Sequence, residues 1–427
     1  MKLRIEKPIY GGAGLARHEG KAIFVPFTLP GELVETRVTR DHGSYADAEF
    51  ETIREASPHR TQPPCPYFGE CGGCHYQHAT YSQEIDIKLQ ILRETLERAH
   101  LSDIPEIAAL HAEPFGYRNR IRLHIDRATS SLSYKRRTSH QNLPVGACPI
   151  AAPVLERALK SIQSVAASWQ LGEHFREIEL FTNSTQDSVL LSLWKAARPQ
   201  SAARRLNILW PKLQTLIPKL TGAAIFSAEQ RGHQSKLLAR TGDQSLIYPA
   251  VGHDYRVSLG SFFQVNRFLI DPLVEHVTGS SSDSLAWDLY AGVGLFSAAL
   301  ASRFEQIVAV ESAPSAIRDL RHNLHGRAHR IVASSTLEFL RRAQAANEKR
   351  PDFVIVDPPR VGLGKEVTTL LAAIRPTHIT YVSCDPATLS RDLKSLLDSG
   401  YHLRSLRMVD LFPQTFHLES VATLSLK

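Results

Sequence analysis

Two corners near the C-terminus hold the residues with the most evident chemistry. In PDFVIVDPPR an apolar run of strand type stops at Asp357-Pro358-Pro359, where two prolines end ladder pairing and hold a carboxylate at the strand's tip. About one helix later THITYVSCDP is β-branched and aromatic up to Ser383. Cys384-Asp385-Pro386 then turns the chain into ATLSRDLKSLLDSG, a helix with apolar residues at Leu389, Leu393, Leu396 and Leu397. The thiolate is the nucleophilic form of cysteine, and unpaired N–H groups at a helix N-terminus favour negative charge, so Cys384 is placed to react. A buried core cysteine is the alternative, although it would sit more naturally inside the strand than at its end. Ligands of an open parallel sheet bind at the carboxyl ends of its strands, so Asp357 and Cys384 are expected to share one crevice.

The other cysteines are grouped. Cys65, Cys71 and Cys74 stand as C-x5-C-x2-C in PPCPYFGECGGCHYQH, and Cys148 follows in GACPI. Gly72 and Gly73 would let the backbone wrap close to a metal cluster. A cytosolic location argues against disulfides. Zinc commonly uses two Cys-x2-Cys or Cys/His knuckles, and only one such pair exists here. A radical S-adenosylmethionine enzyme commonly uses a tighter C-x3-C-x2-C run and leaves one iron open, whereas here a fourth cysteine is available. A closed [4Fe-4S] cluster on Cys65, Cys71, Cys74 and Cys148 is therefore expected, with zinc as the alternative. The chain has five cysteines, so with Cys384 no thiol is left over.

The elements that must position these residues divide into three parts. At 427 residues, 43% of them hydrophobic, the chain is long enough for two or three domains with real cores. Residues 1–57 alternate in strand fashion (KLRIEK, KAIFVPF, ELVETRVTR, DAEFETIRE), as in a small OB-like barrel of four or five strands. Residues 58–256 read as a mixed α+β unit carrying the cysteine loop. Its helix YSQEIDIKLQILRETLERAH has an apolar stripe at Ile85, Leu89, Leu92 and Leu96, and its strand candidates include EIELFTN and SVLLSLWK. In FGYRNRIRLHID, Arg118, Arg120 and Arg122 alternate with Ile121, Leu123 and Ile125. With Lys135, Arg136 and Arg137 they form the densest basic patch, either a phosphate-binding face or a solvated one.

Residues 257–427 are α/β. LAWDLY, QIVAVE, RIVAS, DFVIVD and HITYVSC are five apolar strands separated by helical segments, which predicts a doubly wound parallel sheet, and RSLRMVDLFPQTFHLESVATLSL reads as a final strand pair. WDLYAGVGLFSAAL carries G-x-G-x-x-S at Gly292, Gly294 and Ser297, and Glu311 ends the next strand nineteen residues after Gly292. There an acid would meet ribose hydroxyls, as in nicotinamide and S-adenosylmethionine sites alike. The missing third glycine disfavours a pyrophosphate, and a hydride-transfer enzyme would give Cys384 no role. Lys plus Arg exceed Asp plus Glu by seven and the pI is about 9.1, which suits a polyanionic partner. No apolar run approaches a membrane span and the N-terminus lacks a signal-peptide core, so a cytoplasmic protein without a membrane partner is expected.

Together SFFQVN, DLYAGVGLFS, VDPPR, YVSCDPATLSRDL and DLFPQTFHLESVATL resemble the RNA uracil-5 methyltransferases that make 5-methyluridine. YGGAGLAR and FVPFTLPGE resemble the TRAM domain, a small RNA-binding barrel, and CPYFGECGGCHYQH extends the likeness over nearly the whole chain. The resemblance implies a class I (Rossmann-like) methyltransferase domain. It implies Gln264, Tyr290, Glu311 and Asp357 as contacts to S-adenosylmethionine, Cys384 as nucleophile and Glu419 as base. His417 is the runner-up base, expected in the same strand as Glu419. Leu295 stands where some members carry Asn, which removes one side-chain hydrogen bond to the cofactor. The implied partner is RNA, 23S ribosomal RNA ahead of transfer RNA, acted on by a monomer. An inactive RNA-binding iron-sulfur protein is the rival outside enzymes, and intact Cys384, Glu419 and Asp357 argue against it.

Overall fold

The computed structural model describes residues 1–195, 201–227 and 235–426. Strands Lys2–Arg4, Lys7–Ile9, Ala13–His18, Lys21–Pro26, Leu33–Asp41 and Tyr45–Glu55 form the N-terminal sheet. Its two edge segments are consecutive in sequence: Lys2–Arg4 pairs with Leu33–Asp41 and Lys7–Ile9 with Ala13–His18. One bent strand thus joins both edges and closes the sheet around Leu3, Ile5, Val25 and Val34, which removes exposed edges. Strand Ala13–His18 has no alternation to betray it, because Gly14, Leu15 and Ala16 are all buried.

The middle of the chain forms a seven-stranded sheet, in the order Asn142–Pro144, Leu132–Lys135, Arg120–Ile125, Phe175–Thr182, Val189–Lys195, Leu220–Phe226, Leu237–Gly242. Ile121, Leu123 and Ile125 fill its core, as the alternation requires. The opposite face is not a bare basic surface. Arg120 lies 3.5 Å from Glu179 and stacks 4.1 Å over Phe181, and Arg122 pairs with Glu177 and stacks 4.0 Å over Trp194. Arg136 pairs with Glu70, and Arg137 lies 3.2 Å from Glu49.

The third sheet has eight strands in the order His329–Ala333, Phe304–Glu311, Asp283–Leu289, Phe353–Val356, His378–Ser383, Glu419–Leu426, Tyr401–Val409, Ile107–Leu110. The first five are parallel, and Glu419–Leu426 runs antiparallel to both of its neighbours. Because that strand runs the opposite way, Glu419 at its start lies at the same end as Ser383. The last strand, Ile107–Leu110, comes from far upstream and pairs in parallel with Tyr401–Val409. Helix Tyr81–Arg98 packs beside it, with Ile91, Leu92 and Leu96 in one core with Leu389, Leu393 and Leu396. The stripe expected on this helix is partly corrected: Leu89 is only partly buried, whereas Ile87, Ile91, Glu84 and Lys88 are buried. The two charged residues can be buried because they pair with each other, and Lys88 also pairs with Asp410, with Lys88 Nζ 2.7 Å from Glu84 and 2.6 Å from Asp410.

Candidate active site

The carboxyl ends of the parallel strands gather the expected cofactor residues. Strand Asp283–Leu289 ends at Tyr290, whose φ of 121° is a conformation that side-chain-bearing residues rarely adopt and that local strain must be offset to hold. Helix Leu295–Leu300 begins after Gly294 at φ 91°, where a Cβ would meet Leu320 at 2.7 Å. The requirement for glycine there is steric. Glu311 ends the neighbouring strand and accepts from Gly292 N at 2.9 Å and from Ser312 N and Ala313 N at 2.7 Å. Its carboxylate therefore braces the glycine turn from below. Ser297 donates to buried Asp288 at 2.5 Å, while the second Asp288 oxygen is buried without a partner, an acceptor left over in the floor of the crevice.

Asp357 follows strand Phe353–Val356, and Gln264 Nε2 reaches it at 3.5 Å. Burial pushes the Asp357 carboxyl up to about 7, with the Asp288 charge adding to the rise. Glu419, at the start of its strand, is buried. Burial first and the Asp357 charge second hold its carboxyl well above the usual range, against the pull of Arg360. Cys384 lies directly after strand His378–Ser383, as expected. Its state is a correction. Burial pushes the thiol up to about 12, and Glu419 and Asp357 add to that, with Arg360 opposing. The helix terminus does not offset this, because Asp385 Oδ1 takes Ala387 N at 3.0 Å and Thr388 N at 2.9 Å. The cap supplies the negative charge that the thiolate would otherwise have supplied.

His417 is not in a strand: the strand begins at Glu419, and His417 lies in the preceding segment with its ring nitrogens 3.4 Å from Arg360 Nη2. Burial, with the Arg360 charge, lowers the imidazole to about 4, which makes it a poor proton acceptor. The segment before Glu419 is held by Asn266, whose Nδ2 reaches Leu411 O at 3.3 Å, by Tyr117 Oη to Pro413 O at 3.0 Å, and by Lys88 and Tyr81 on Asp410. Arg360 reaches His417, and its charge opposes the rise of both Cys384 and Glu419, a role that the sequence did not suggest. Its place directly after Asp-Pro-Pro was the available signal.

The four grouped cysteines share one neighbourhood. The charges of Cys148, Cys71 and Cys65 each add to the rise that burial imposes on Cys74. Gly72 N donates to Lys135 O at 3.0 Å and Gly146 N to Tyr67 Oη at 2.8 Å, which folds the loop onto the segment leading to Cys148. Donors reach the sulfurs: Gly73 N to Cys71 at 3.4 Å and Tyr134 Oη to Cys148 at 3.7 Å. Among the described residues, however, no three His, Cys, Asp or Glu side chains converge closely enough to hold a metal ion.

The sheet order, the glycine turn and the acids at the strand ends define a class I S-adenosylmethionine-dependent methyltransferase fold. Residues 80–427 match the tRNA (Uracil-5-)-methyltransferase family and residues 1–50 match the TRAM domain. The chain belongs to the tRNA (uracil-5-)-methyltransferase family, and it is an S-adenosylmethionine-dependent RNA (uracil-5-)-methyltransferase. It is 32% identical to an uncharacterized RNA methyltransferase of Aquifex aeolicus, covering 100% of this chain and 99% of that one. It is 30% identical to the 23S rRNA (uracil(1939)-C(5))-methyltransferase RlmD of Vibrio parahaemolyticus, covering 98% and 94%. Its fold is similar to that of the tRNA (uracil-54, C5)-methyltransferase of Pyrococcus abyssi, solved with S-adenosyl-L-homocysteine, with a TM-score of 0.76 at 24% identity over 99% and 100% of the chains. No helix among the described residues is long and apolar enough to cross a membrane.

Proposed function

We propose that this enzyme methylates C5 of a uridine in 23S ribosomal RNA through a covalent bond between Cys384 Sγ and C6 of the base. The observation that carries the reading is the meeting of Cys384, Glu419 and Asp357 at one end of the sheet, beside the glycine turn. S-adenosylmethionine supplies an electrophilic methyl when bound, and Gln264, Tyr290, Glu311 and Asp357 are the residues that would hold it. The partnerless Asp288 oxygen and the strained Tyr290 are what a polar ligand at that place would account for.

C5 of uracil is too weak a nucleophile on its own. Addition of the Cys384 thiolate to C6 moves the 5,6 π-electrons toward O4 and makes C5 nucleophilic. Once C5 carries the methyl, the Glu419 carboxylate takes the C5 proton, the 5,6 double bond re-forms and the C6–S bond breaks. Glu419 is preferred to His417 because burial and the Arg360 charge lower the imidazole's affinity for a proton. The target base must leave its stack to reach Cys384, with the TRAM barrel and the central domain gripping the surrounding RNA.

The ribosomal assignment is supported by the 30% identity to the Vibrio enzyme over nearly the full length. Transfer RNA is the second reading, favoured by the full-length likeness to the Pyrococcus fold. We further propose that Cys65, Cys71, Cys74 and Cys148 hold a structural [4Fe-4S] cluster, in a monomer acting in the cytoplasm. The support for this is the fold of the loop, which brings Cys65, Cys71 and Cys74 near Cys148, with zinc as the alternative.

Mass mapping of 5-methyluridine in RNA from cells lacking the enzyme tests the target: loss from 23S ribosomal RNA is expected, and loss from transfer RNA alone selects the second reading. A denaturing gel with labelled RNA tests the chemistry. Cys384→Ala should be inactive, while Glu419→Gln should add and methylate yet stall, leaving a shifted band that disappears in the double variant. If Glu419→Gln turns over normally and a His417 variant traps RNA, the base is His417.

A further inference from the structure

The N-terminal barrel does more than lie beside the catalytic sheet. Tyr10 follows strand Lys7–Ile9 and is half-buried against the core of the catalytic sheet. Its hydroxyl donates to Asp385 Oδ2 at 3.4 Å. Asp385 is the residue next to Cys384, and its other oxygen is already committed to the helix cap. The corner is tied further by Asp385 N to Ser383 Oγ at 3.4 Å and Thr388 Oγ1 to Asp385 O at 3.2 Å. Tyr10 is the member of this network that comes from outside the catalytic sheet.

The same ring meets the segment that carries the candidate base. Tyr10 packs edge-on against Phe416 with centroids 5.6 Å apart, and Phe416 packs edge-on against His75 at 4.7 Å. His75, which follows Cys74, donates its backbone N–H to Gln414 O at 2.7 Å. The position of Tyr10 is built into the sequence YGG. Gly11 and Gly12 have φ of 105° and 88°, and a Cβ on Gly12 would lie 2.9 Å from His75 Cβ. Any other residue there would push the turn, and Tyr10 with it, away from the corner. Lys7 Nζ, 2.5 Å from Glu94 on helix Tyr81–Arg98, fastens the barrel at this point.

We propose that Tyr10 is a positioning residue for the reaction: the barrel uses it to hold the Cys384–Asp385 corner and the segment leading to Glu419 in fixed register. The proposal rests on the reading of Cys384 as nucleophile and Glu419 as base. It makes the RNA-binding barrel a part of the catalytic geometry as well as of RNA affinity.

The test compares Tyr10→Phe, which loses only the hydroxyl, with Tyr10→Ala, which also loses the ring. Single-turnover methylation and the rate of covalent adduct formation on 5-fluorouridine-containing RNA are measured, together with RNA KM, S-adenosylhomocysteine affinity and melting temperature. Fluorine on C5 cannot be removed as a proton, so the adduct accumulates. For Tyr10→Phe we expect kcat and adduct rate to fall together by about tenfold, and for Tyr10→Ala by about a hundredfold, the scale that a misplaced reacting group costs. KM, cofactor affinity and melting temperature of Tyr10→Phe should stay at the wild-type values. An unchanged kcat in Tyr10→Phe with a raised KM in Tyr10→Ala overturns the proposal and leaves Tyr10 as an RNA contact. Wild-type adduct formation and its loss in Cys384→Ala are read in parallel, so failure of the nucleophile assignment shows separately.

Discussion

At the scale of single residues, charge decides how the site works. Cys384 stands out by type and spacing, but what raises its thiol does not: burial comes first, and the Glu419 and Asp357 charges that add to it arrive from other strands. Arg360 opposes that rise for both Cys384 and Glu419. Removing the guanidinium should raise the thiol further, so at a given pH less thiolate forms. Arg360→Gln is therefore expected to lower kcat/KM at pH 7 by about tenfold, in proportion to the smaller thiolate fraction, and to move the rising limb of the pH–rate profile to higher pH. Activity should partly recover as the pH is raised. A profile that falls uniformly, with its limb in place, would mean that Arg360 serves RNA binding instead.

At the scale of elements, the network around helix Tyr81–Arg98 shows what an apolar stripe conceals. Lys88 is 1% exposed and joins Glu84, Asp410 and Phe412 O, the last at 3.2 Å, while Tyr81 Oη donates to the second Asp410 oxygen at 2.8 Å. Glu84 Oε1 also accepts from Gln414 N at 2.7 Å, so the network anchors the segment that leads to Glu419. Lys88→Met would keep the volume but leave two buried carboxyls facing each other. The expected cost is about 3–5 kcal/mol of unfolding free energy in urea titration. A triple replacement of Lys88, Glu84 and Asp410 by apolar residues should recover much of it, and a harmless Lys88→Met would show that the carboxyls are not ionised as a pair with the lysine. The stripe read from sequence on this helix does not include Glu84 or Lys88. A charge is expected outside unless paired, and its partner Asp410 lies more than three hundred residues away.

At the scale of the whole molecule, the catalytic sheet is not contained in the residues that carry its chemistry. Strand Ile107–Leu110 completes the edge at Tyr401–Val409, and helix Tyr81–Arg98 covers the core beside Leu389 and Leu393. A fragment of residues 257–427 alone should therefore expose an apolar edge and face and fail to show a cooperative melt, whereas a fragment beginning at residue 80 should melt cooperatively. A cooperative melt of the shorter fragment would show the upstream elements to be dispensable. The cysteine loop offers a second test at this scale. Protein purified without oxygen should be brown and carry about four irons per chain, and replacing Cys74 with Ser should remove colour and iron together. One zinc per chain and no visible absorbance would count against the cluster.

Whatever lives in short spacing is legible in the chain before it folds: the strand and helix periods of the α/β region, the glycine turn, the two strand-end corners and the grouping of three cysteines. Motifs then carried it to the family, because runs such as VDPPR and YVSCDPATLSRDL keep their chemistry within a few neighbours. Which distant groups share a dielectric was settled by the folded molecule. Folding paired the Arg120 and Arg122 face with Glu179 and Glu177, which adjacency in the chain could not reveal. It placed His417 outside the strand and brought Tyr10 from the first ten residues to the corner at Cys384 and Asp385. The cause is common to all three. Burial and Coulomb interaction depend on distance through space, and in this chain the closing contacts join residues whose separation in sequence carries no periodic signal.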